Sequence, residues 1–312
     1  ALPVSDIGLI LATIRQHFTM SDEIEKTLEA NPDDITPENV SAWKDAGINR
    51  LSIGIQAFQD NILQDWNRSH NAAQALTAIT IVQQEGIENI TADLIYGGPG
   101  LSDADWISNI QRLIDSGIPH ISSYALTVEK GTALFQQILK GKSEAPDDEQ
   151  GNRQYAILQE MLAANGFMQY EVSNFAKPGY ESKHNMSYWS GEHYLGLGPS
   201  AHSFNSVTRQ WNVAHNIKYV ESIEGGQIPF EKEVLTDSQR YNEIVMTGLR
   251  TSAGIDHYRI TSLGEKYVAY LEEQIRPFEE KGQVMRNEKG NWRLKPEFLF
   301  FADGIAADLF YE

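Results

Sequence analysis

No cysteine occurs anywhere in these 312 residues. The chain therefore offers no thiolate, which is the donor that soft-metal sites depend on. Basic residues are also scarce: 25 Lys and Arg stand against 43 Asp and Glu, a net charge of −18. Neutralising a phosphate backbone takes a basic stripe, and none is visible, so sequence-independent nucleic-acid binding is excluded. No apolar run approaches the roughly 18 residues of a membrane-spanning helix. There is also no charged-then-apolar leader, so the expected location is cytoplasmic.

The chain opens at Ala1-Leu-Pro-Val-Ser-Asp6 without an initiator Met. Ser5 or Asp6 is placed to cap a helix whose Ile7, Ile10, Leu11, Ile14 and Phe18 fall at helical spacing. A parallel barrel starts on a strand. A chain that starts on a helix is therefore expected to be short of at least one βα unit.

Four short apolar runs are present, at Lys26–Asn31, Arg50–Gln56, Asn89–Tyr96 and His120–Thr127. Runs of strand length bounded by helix-period segments predict parallel strands of an α/β fold. Chemistry in such folds gathers at the carboxyl ends of the strands, so Glu29, Gln56 and Asp93 are expected to point into one mouth. Helices are predicted over Thr36–Ala46, Asn71–Gln84, Ser102–Ser116 and Asp147–Asn165. Thr36 is the expected cap of the first, with Pro37 in its first turn and Gly47 past its end. Gly131–Pro146 reads as a polar connection, and Gln169–Phe175 alternates like one strand.

From residue 177 the pattern changes, as Pro178, Gly179, Gly191, Gly196, Gly198 and Pro199 break the chain into short pieces rich in His, Asn, Tyr and Trp. Helical periodicity returns over Ser238–Arg250, with Tyr241, Ile244, Val245 and Leu249 on one face, and over Tyr267–Lys281, broken at Pro277. A hairpin around Lys289-Gly290 and a last helix over Phe300–Phe310 complete the chain. Three regions are therefore expected: a partial barrel over 1–176, a Gly/Pro/aromatic-rich connecting region over 177–235, and a winged-helix-like domain over 236–312. In so acidic a chain that last domain is expected to pack or bind a partner, not to read DNA.

Five ordered blocks carry a resemblance. Glu29-Ala-Asn-Pro32, Arg50-Leu-Ser-Ile-Gly-Ile-Gln-Ala-Phe58, Asn67-Arg68-Ser-His70, Asp93-Leu-Ile-Tyr-Gly-Gly-Pro-Gly100 and Tyr170-Glu-Val-Ser-Asn-Phe-Ala176 resemble the radical S-adenosylmethionine (SAM) family of oxygen-independent coproporphyrinogen III oxidases. His184-Asn-Met-Ser-Tyr-Trp189 is similar to the His-Asn-x-x-Tyr-Trp signature of its haem-chaperone branch, the HemW proteins. The resemblance implies an incomplete parallel (β/α) barrel holding a [4Fe-4S] cluster and SAM, followed by a small C-terminal helical domain. It also implies three cluster cysteines in a Cys-x3-Cys-x2-Cys loop and a Gly-Gly-Gly-Thr-Pro segment, both ahead of Ala1. Neither motif is in these residues, so the polypeptide of residues 1–312 is expected to be colourless after anaerobic reconstitution and inert toward SAM.

Residue by residue, the resemblance assigns Glu29, Gln56, Arg68, Asp93, Ala125 and His202 to the SAM pocket, with Tyr124 beside Ala125. A carboxylate suits the methionyl ammonium or a ribose hydroxyl, and the planar arginine fork suits a carboxylate. It assigns His184, Asn185, Tyr188 and Trp189 to haem, the imidazole as iron ligand and the rings against the porphyrin face. No His-x3-His or Glu-x2-His pair suggests a metal held by protein side chains.

Three functions are carried forward. The first is a haem chaperone that binds haem and passes it to acceptor proteins, its cluster domain controlling the transfer. The second is an enzyme that decarboxylates coproporphyrinogen III propionates through a 5′-deoxyadenosyl radical. The third sets the resemblance aside: a metal-dependent TIM-barrel lyase with Glu29 and Asp93 holding Mg²⁺ or Mn²⁺.

Overall fold

The computed structural model describes residues 2–312. It divides into two compact units, one running to Glu181 and one over Ser182–Glu312.

The first unit opens on helix α1 (Val4–His17) and strand β1 (Thr27–Ala30). Then follow α2 (Pro37–Ala46), β2 (Arg50–Gln56), α3 (Asp60–Asp65), α4 (Ala72–Gln84), β3 (Ile90–Tyr96), α5 (Asp103–Asp115) and β4 (His120–Ala125). It closes with α6 (Ala133–Leu139), α7 (Asp148–Ala164), β5 (Met168–Glu171) and β6 (Asn174–Ala176). The sheet order is β1-β2-β3-β4-β6-β5, with β1 through β4 parallel. Among the described residues β1 pairs only with β2, and the sheet does not close into a barrel.

Three sequence expectations are corrected in this unit. Residues 169–175 form a tight hairpin, not one strand: β6 runs antiparallel to both β4 and β5, so the sheet is not parallel throughout. The first helix is preceded by Pro3, with no side-chain cap from Ser5 or Asp6. Pro pre-sets the backbone for a first turn, and its missing N–H is one that the turn leaves unpaired anyway. Of that helix's apolar residues only Ile7 is buried. Within the supposed polar connection, Thr132 caps the short α6.

The central strands have unequal faces, as the period-two rule requires. Leu51, Ile53, Ile55, Ile90, Ala92 and Leu94 are buried among the helices. The alternate positions Ser52, Gly54, Gln56, Thr91, Asp93, His120 and Ser122 share the opposite, polar face, where the register sets Glu29 beside Ser52 and Asp93 beside Ser122. Burying the five Leu and Ile side chains at roughly 1.5–3 kcal/mol each is what holds that polar row in place.

The second unit begins with α8 (Lys183–Ser190), capped by Ser182, and a three-stranded antiparallel sheet of β7 (His202–Phe204), β8 (Thr208–Asn212) and β9 (Phe230–Val234). Helix α9 (Asn216–Glu224) lies between β8 and β9 in sequence. Residues 182–235, expected as connecting segments, thus carry regular structure. Next come α10 (Asp237–Leu249), α11 (His257–Leu263), α12 (Glu265–Gln274) and α13 (Arg276–Glu280). The hairpin is β10 (Val284–Arg286) with β11 (Trp292–Leu294), and the chain ends on a 3-10 turn and α14 (Ala302–Asp308). All four predicted face residues of α10, Tyr241, Ile244, Val245 and Leu249, are buried. No helix among the described residues is long and apolar enough to cross a membrane.

Candidate functional sites

A cavity of about 430 Å³ opens at the carboxyl ends of β1, β2 and β3, lined among others by Glu29, Asn31, Gly54, Gln56, Arg68 and Asp93. Four of the six residues assigned to SAM therefore share one cavity. The strand ends place three of them, and a loop device places the fourth. Asn67 takes a left-handed φ of 54°, which Asn tolerates better than most side chains. Three residues on, buried His70 contacts the Ile55 carbonyl through Nε2 at 3.0 Å, pinning the loop to β2 and bringing Arg68 to the cavity.

Gln56 itself sits at φ 70°, where the β2–β3 register shifts. A non-glycine residue held there costs on the order of 1 kcal/mol or more, and its side chain lines the cavity. Gly54 completes the arrangement: a Cβ there would stand 3.0 Å from Gln56 Nε2 and 3.2 Å from the Arg68 guanidinium, inside the cavity.

Asp93 is half-buried, and burial pushes its carboxyl up to about 6 against the hydroxyls of Ser122 and Ser52, with nearby Glu29 adding to the rise. Ser52 Oγ donates to it at 3.3 Å. Burial lowers the Arg68 guanidinium too, opposed by Asp93 and Asp33. Both charged groups are thus underhydrated and held ready for a polar ligand. Behind Asp93 a buried chain runs on: Ser122 donates to Asn174 at 2.6 Å, Thr91 bonds His120 Nδ1, and His120 Nε2 meets Tyr170 Oη at 2.8 Å. Burial, with Arg50 nearby, drops His120 to about 3, so it is neutral.

Ala125 ends β4, exposed and outside this lining, and Tyr124 beside it is 45% exposed. His202 belongs to the second unit, on β7 with its ring 6.1 Å from Trp211, in a different cavity of about 590 Å³. Sequence reasoning passed over Ser52, Gly54 and Asn31, although their period-two spacing with Gln56 and Glu29 was a usable signal, and Ser122, which only the strand register sets beside Asp93.

The His-Asn-x-x-Tyr-Trp residues all lie on α8. His184 is exposed, its ring edge-on to Tyr188 at 4.8 Å, and Asn185 is half-buried with its N–H bonded to the Ser182 cap. Tyr188 and Trp189 line a second cavity of about 520 Å³ with Tyr194, Phe204, Arg209 and Arg259. The helix therefore puts its imidazole outside and its two large rings against a cavity.

An open α/β sheet with charged side chains at its strand ends defines the class, and the comparisons agree. Residues 3–128 match the model of the radical SAM superfamily, and residues 235–301 that of the HemN C-terminal domain. In the solved structures, the chain is similar to coproporphyrinogen III oxidase HemN from Escherichia coli, with a TM-score of 0.79 and 18% identity over 99% of this chain and 74% of that one. That likeness shows a shared fold. Among curated proteins it is 36% identical to the heme chaperone HemW of Bacillus subtilis, over 86% of this chain and 71% of that protein. It is equally identical to HemW of Mycobacterium tuberculosis, over 81% of this chain and 65% of that protein. It is 30% identical to the mitochondrial radical S-adenosyl methionine domain-containing protein 1 of Bos taurus. This chain belongs to the HemW family of radical SAM proteins, and it spans about two thirds of the length of the curated relatives it matches.

Proposed function

We propose that this protein binds haem on α8, with His184 as iron ligand, and delivers it to acceptor proteins. The observation that carries this reading is an exposed imidazole in edge contact with Tyr188, which also lines a cavity walled by aromatic rings. An imidazole ligates haem iron, and aromatic rings flank a porphyrin at little conformational cost. Family membership points the same way, through curated relatives named as heme chaperones.

The cavity of the first unit suits SAM. Arg68 fits its carboxylate, Glu29 its ammonium, and Gln56 and Asp93 its hydroxyls, while the absent Cβ at Gly54 keeps the space open. Bound together with an iron-sulfur cluster, SAM supplies one-electron chemistry. These 312 residues hold the polar wall of that site and none of the thiolates.

Titration with haem tests the reading. One haem per chain with a shifted Soret band is expected, and His184→Ala should weaken uptake and alter the band. If neither affinity nor spectrum moves, His184 is not the ligand. The fold likeness to HemN favours a second reading, oxidative decarboxylation of coproporphyrinogen III. It requires deoxyadenosine formation that depends on the porphyrinogen in an anaerobic assay of the cluster-loaded protein. A chaperone forms none.

A further inference from the structure

The cavity of the second unit is more than an aromatic wall. A row of rings leads from His184 into it: His184 to Tyr188 at 4.8 Å, Tyr188 to Tyr194 at 4.6 Å, and Tyr194 to Phe204 at 5.9 Å. At its far end the Arg209 guanidinium lies over the Phe204 ring at 5.5 Å. The first two contacts are edge-on, at 86° and 68°, and the third is stacked, so the flat surface of Tyr194 and Phe204 ends on a cation, and a second one, Arg259, lines the same cavity.

Arg259 is tied to the motif helix. Its Nη1 donates to the Ser190 carbonyl at 3.0 Å, in the last turn of α8. Gly191, the left-handed residue that ends the helix, leaves the room it needs, because a Cβ there would fall 2.4 Å from Arg259 Nη2. Burial pushes Arg259 below the usual guanidinium range although Asp256 and Glu243 lie nearby. Arg209 pairs with Glu243 at 2.8 Å, and Glu243 is itself raised by burial. Trp189 adds a buried indole N–H that has no acceptor. The cavity is thus lined by Arg259 and by the Arg209–Glu243 ion pair, whose acid is poorly solvated, with the Glu233 carboxylate also in the lining. A ligand carboxylate would accept charge-assisted hydrogen bonds from the arginines.

We infer that this cavity is a carboxylate site that grips the propionate edge of the porphyrin, through Arg259 and Arg209, while the ring system lies against Tyr194 and Phe204 with Tyr188 at its edge. It rests on the haem reading above and deepens it, because it assigns the orientation of the cargo to residues outside the His-Asn-x-x-Tyr-Trp run.

Iron-free probes separate this inference from the choice of iron ligand. Protoporphyrin IX and its dimethyl ester, titrated by fluorescence, share one ring system and differ only in the carboxylates. The diacid should bind roughly tenfold or more tighter than the ester, the ratio that one charge-assisted bond supplies. Arg209→Gln should shrink that preference severalfold, and Arg259→Gln should shrink it further. Because Arg259 also caps α8, Arg259→Lys serves as a second variant: it keeps the charge and should retain part of the preference. Equal binding of acid and ester by the unmodified protein overturns the inference, as does an acid preference that survives in both glutamine variants. His184→Ala should leave the acid-to-ester ratio of these iron-free probes unchanged. If haem ligation by His184 fails while that ratio stands, the haem-ligand reading falls and the carboxylate site remains.

Discussion

The two cavities are built on opposite plans. In the first unit, polar side chains stand on neighbouring parallel strands, and the ladder register spaces them, Glu29 beside Ser52 and Asp93 beside Ser122. In the second, the walls come from a helix, an antiparallel sheet and α10, and about half of the lining is aromatic or apolar. A strand-end site supplies fixed donors and acceptors for a small charged molecule. A ring-lined cavity supplies area, and so suits a flat one. The contrast is between polar groups spaced by the strand register and rings with two arginines gathered from several elements.

The largest expected effect separates the two outright. A polypeptide of these 312 residues, reconstituted anaerobically with iron and sulfide, should show no iron-sulfur chromophore and should not cleave SAM, yet should bind protoporphyrin IX. Visible absorption, iron and sulfide analysis and porphyrin fluorescence on one sample decide it. A bound cluster would mean that ligands other than thiolates hold it, and the site assignments in the first unit would then need to be rebuilt.

The next effect belongs to Asp93 alone. Its folded carboxyl titrates near 6 against an ordinary 3.8, so between those values the folded state holds more protons than the unfolded one and Asp93 erodes stability as pH rises. Asp93→Asn removes that loss, and denaturant unfolding should show the variant more stable above pH 6 by roughly 1–3 kcal/mol, with no difference below pH 4. His120 acts with the opposite sign. Neutral in the fold, with its titration lowered from 6.5 to about 3, it lends stability that is complete above 6.5 and lost as the pH falls toward 3. The Asn variant, freed of the opposing slope, should therefore lose stability more steeply on acidification from pH 6 to 4.

Smaller and symmetrical effects are expected at the helix starts. Asn71 and Thr236 each accept a bond from the N–H three residues on and close a capping box, one in each unit. Either residue changed to Ala should cost about 1 kcal/mol in denaturant unfolding, and equal costs would show that local capping is indifferent to the kind of site the unit carries. Least of all, the exposed pairs Arg153 with Asp103 and Arg286 with Glu272 should contribute less than either cap in double-mutant cycles, and less again at high salt.

Much of the first unit could be read before any coordinates. The apolar runs became β1 to β4, and helices start where expected at Thr36, Asn71, Ser102 and Asp147, all four serving as caps although only Thr36 was expected to. What escaped was the turn at Val172-Ser173, because two short strands and one long strand share the same alternation. The sheet of residues 202–234 escaped too. Its strands are three to five residues long and largely unburied, too short for periodicity to register.

Composition and order alone determined that the chain offers no thiolate, carries an acidic surface, follows an α/β plan in its first half, and bears Glu29, Gln56, Arg68, Asp93 and the His184 motif. Those properties are additive or local, and no folding is needed to know them. Only the tertiary structure decided that Gly54 keeps a cavity open, that burial raises Asp93 and neutralises His120, and that Arg259 meets the end of α8. Each of these depends on contacts between residues distant in sequence and on the exclusion of water around them, and neither is a property of any segment read alone.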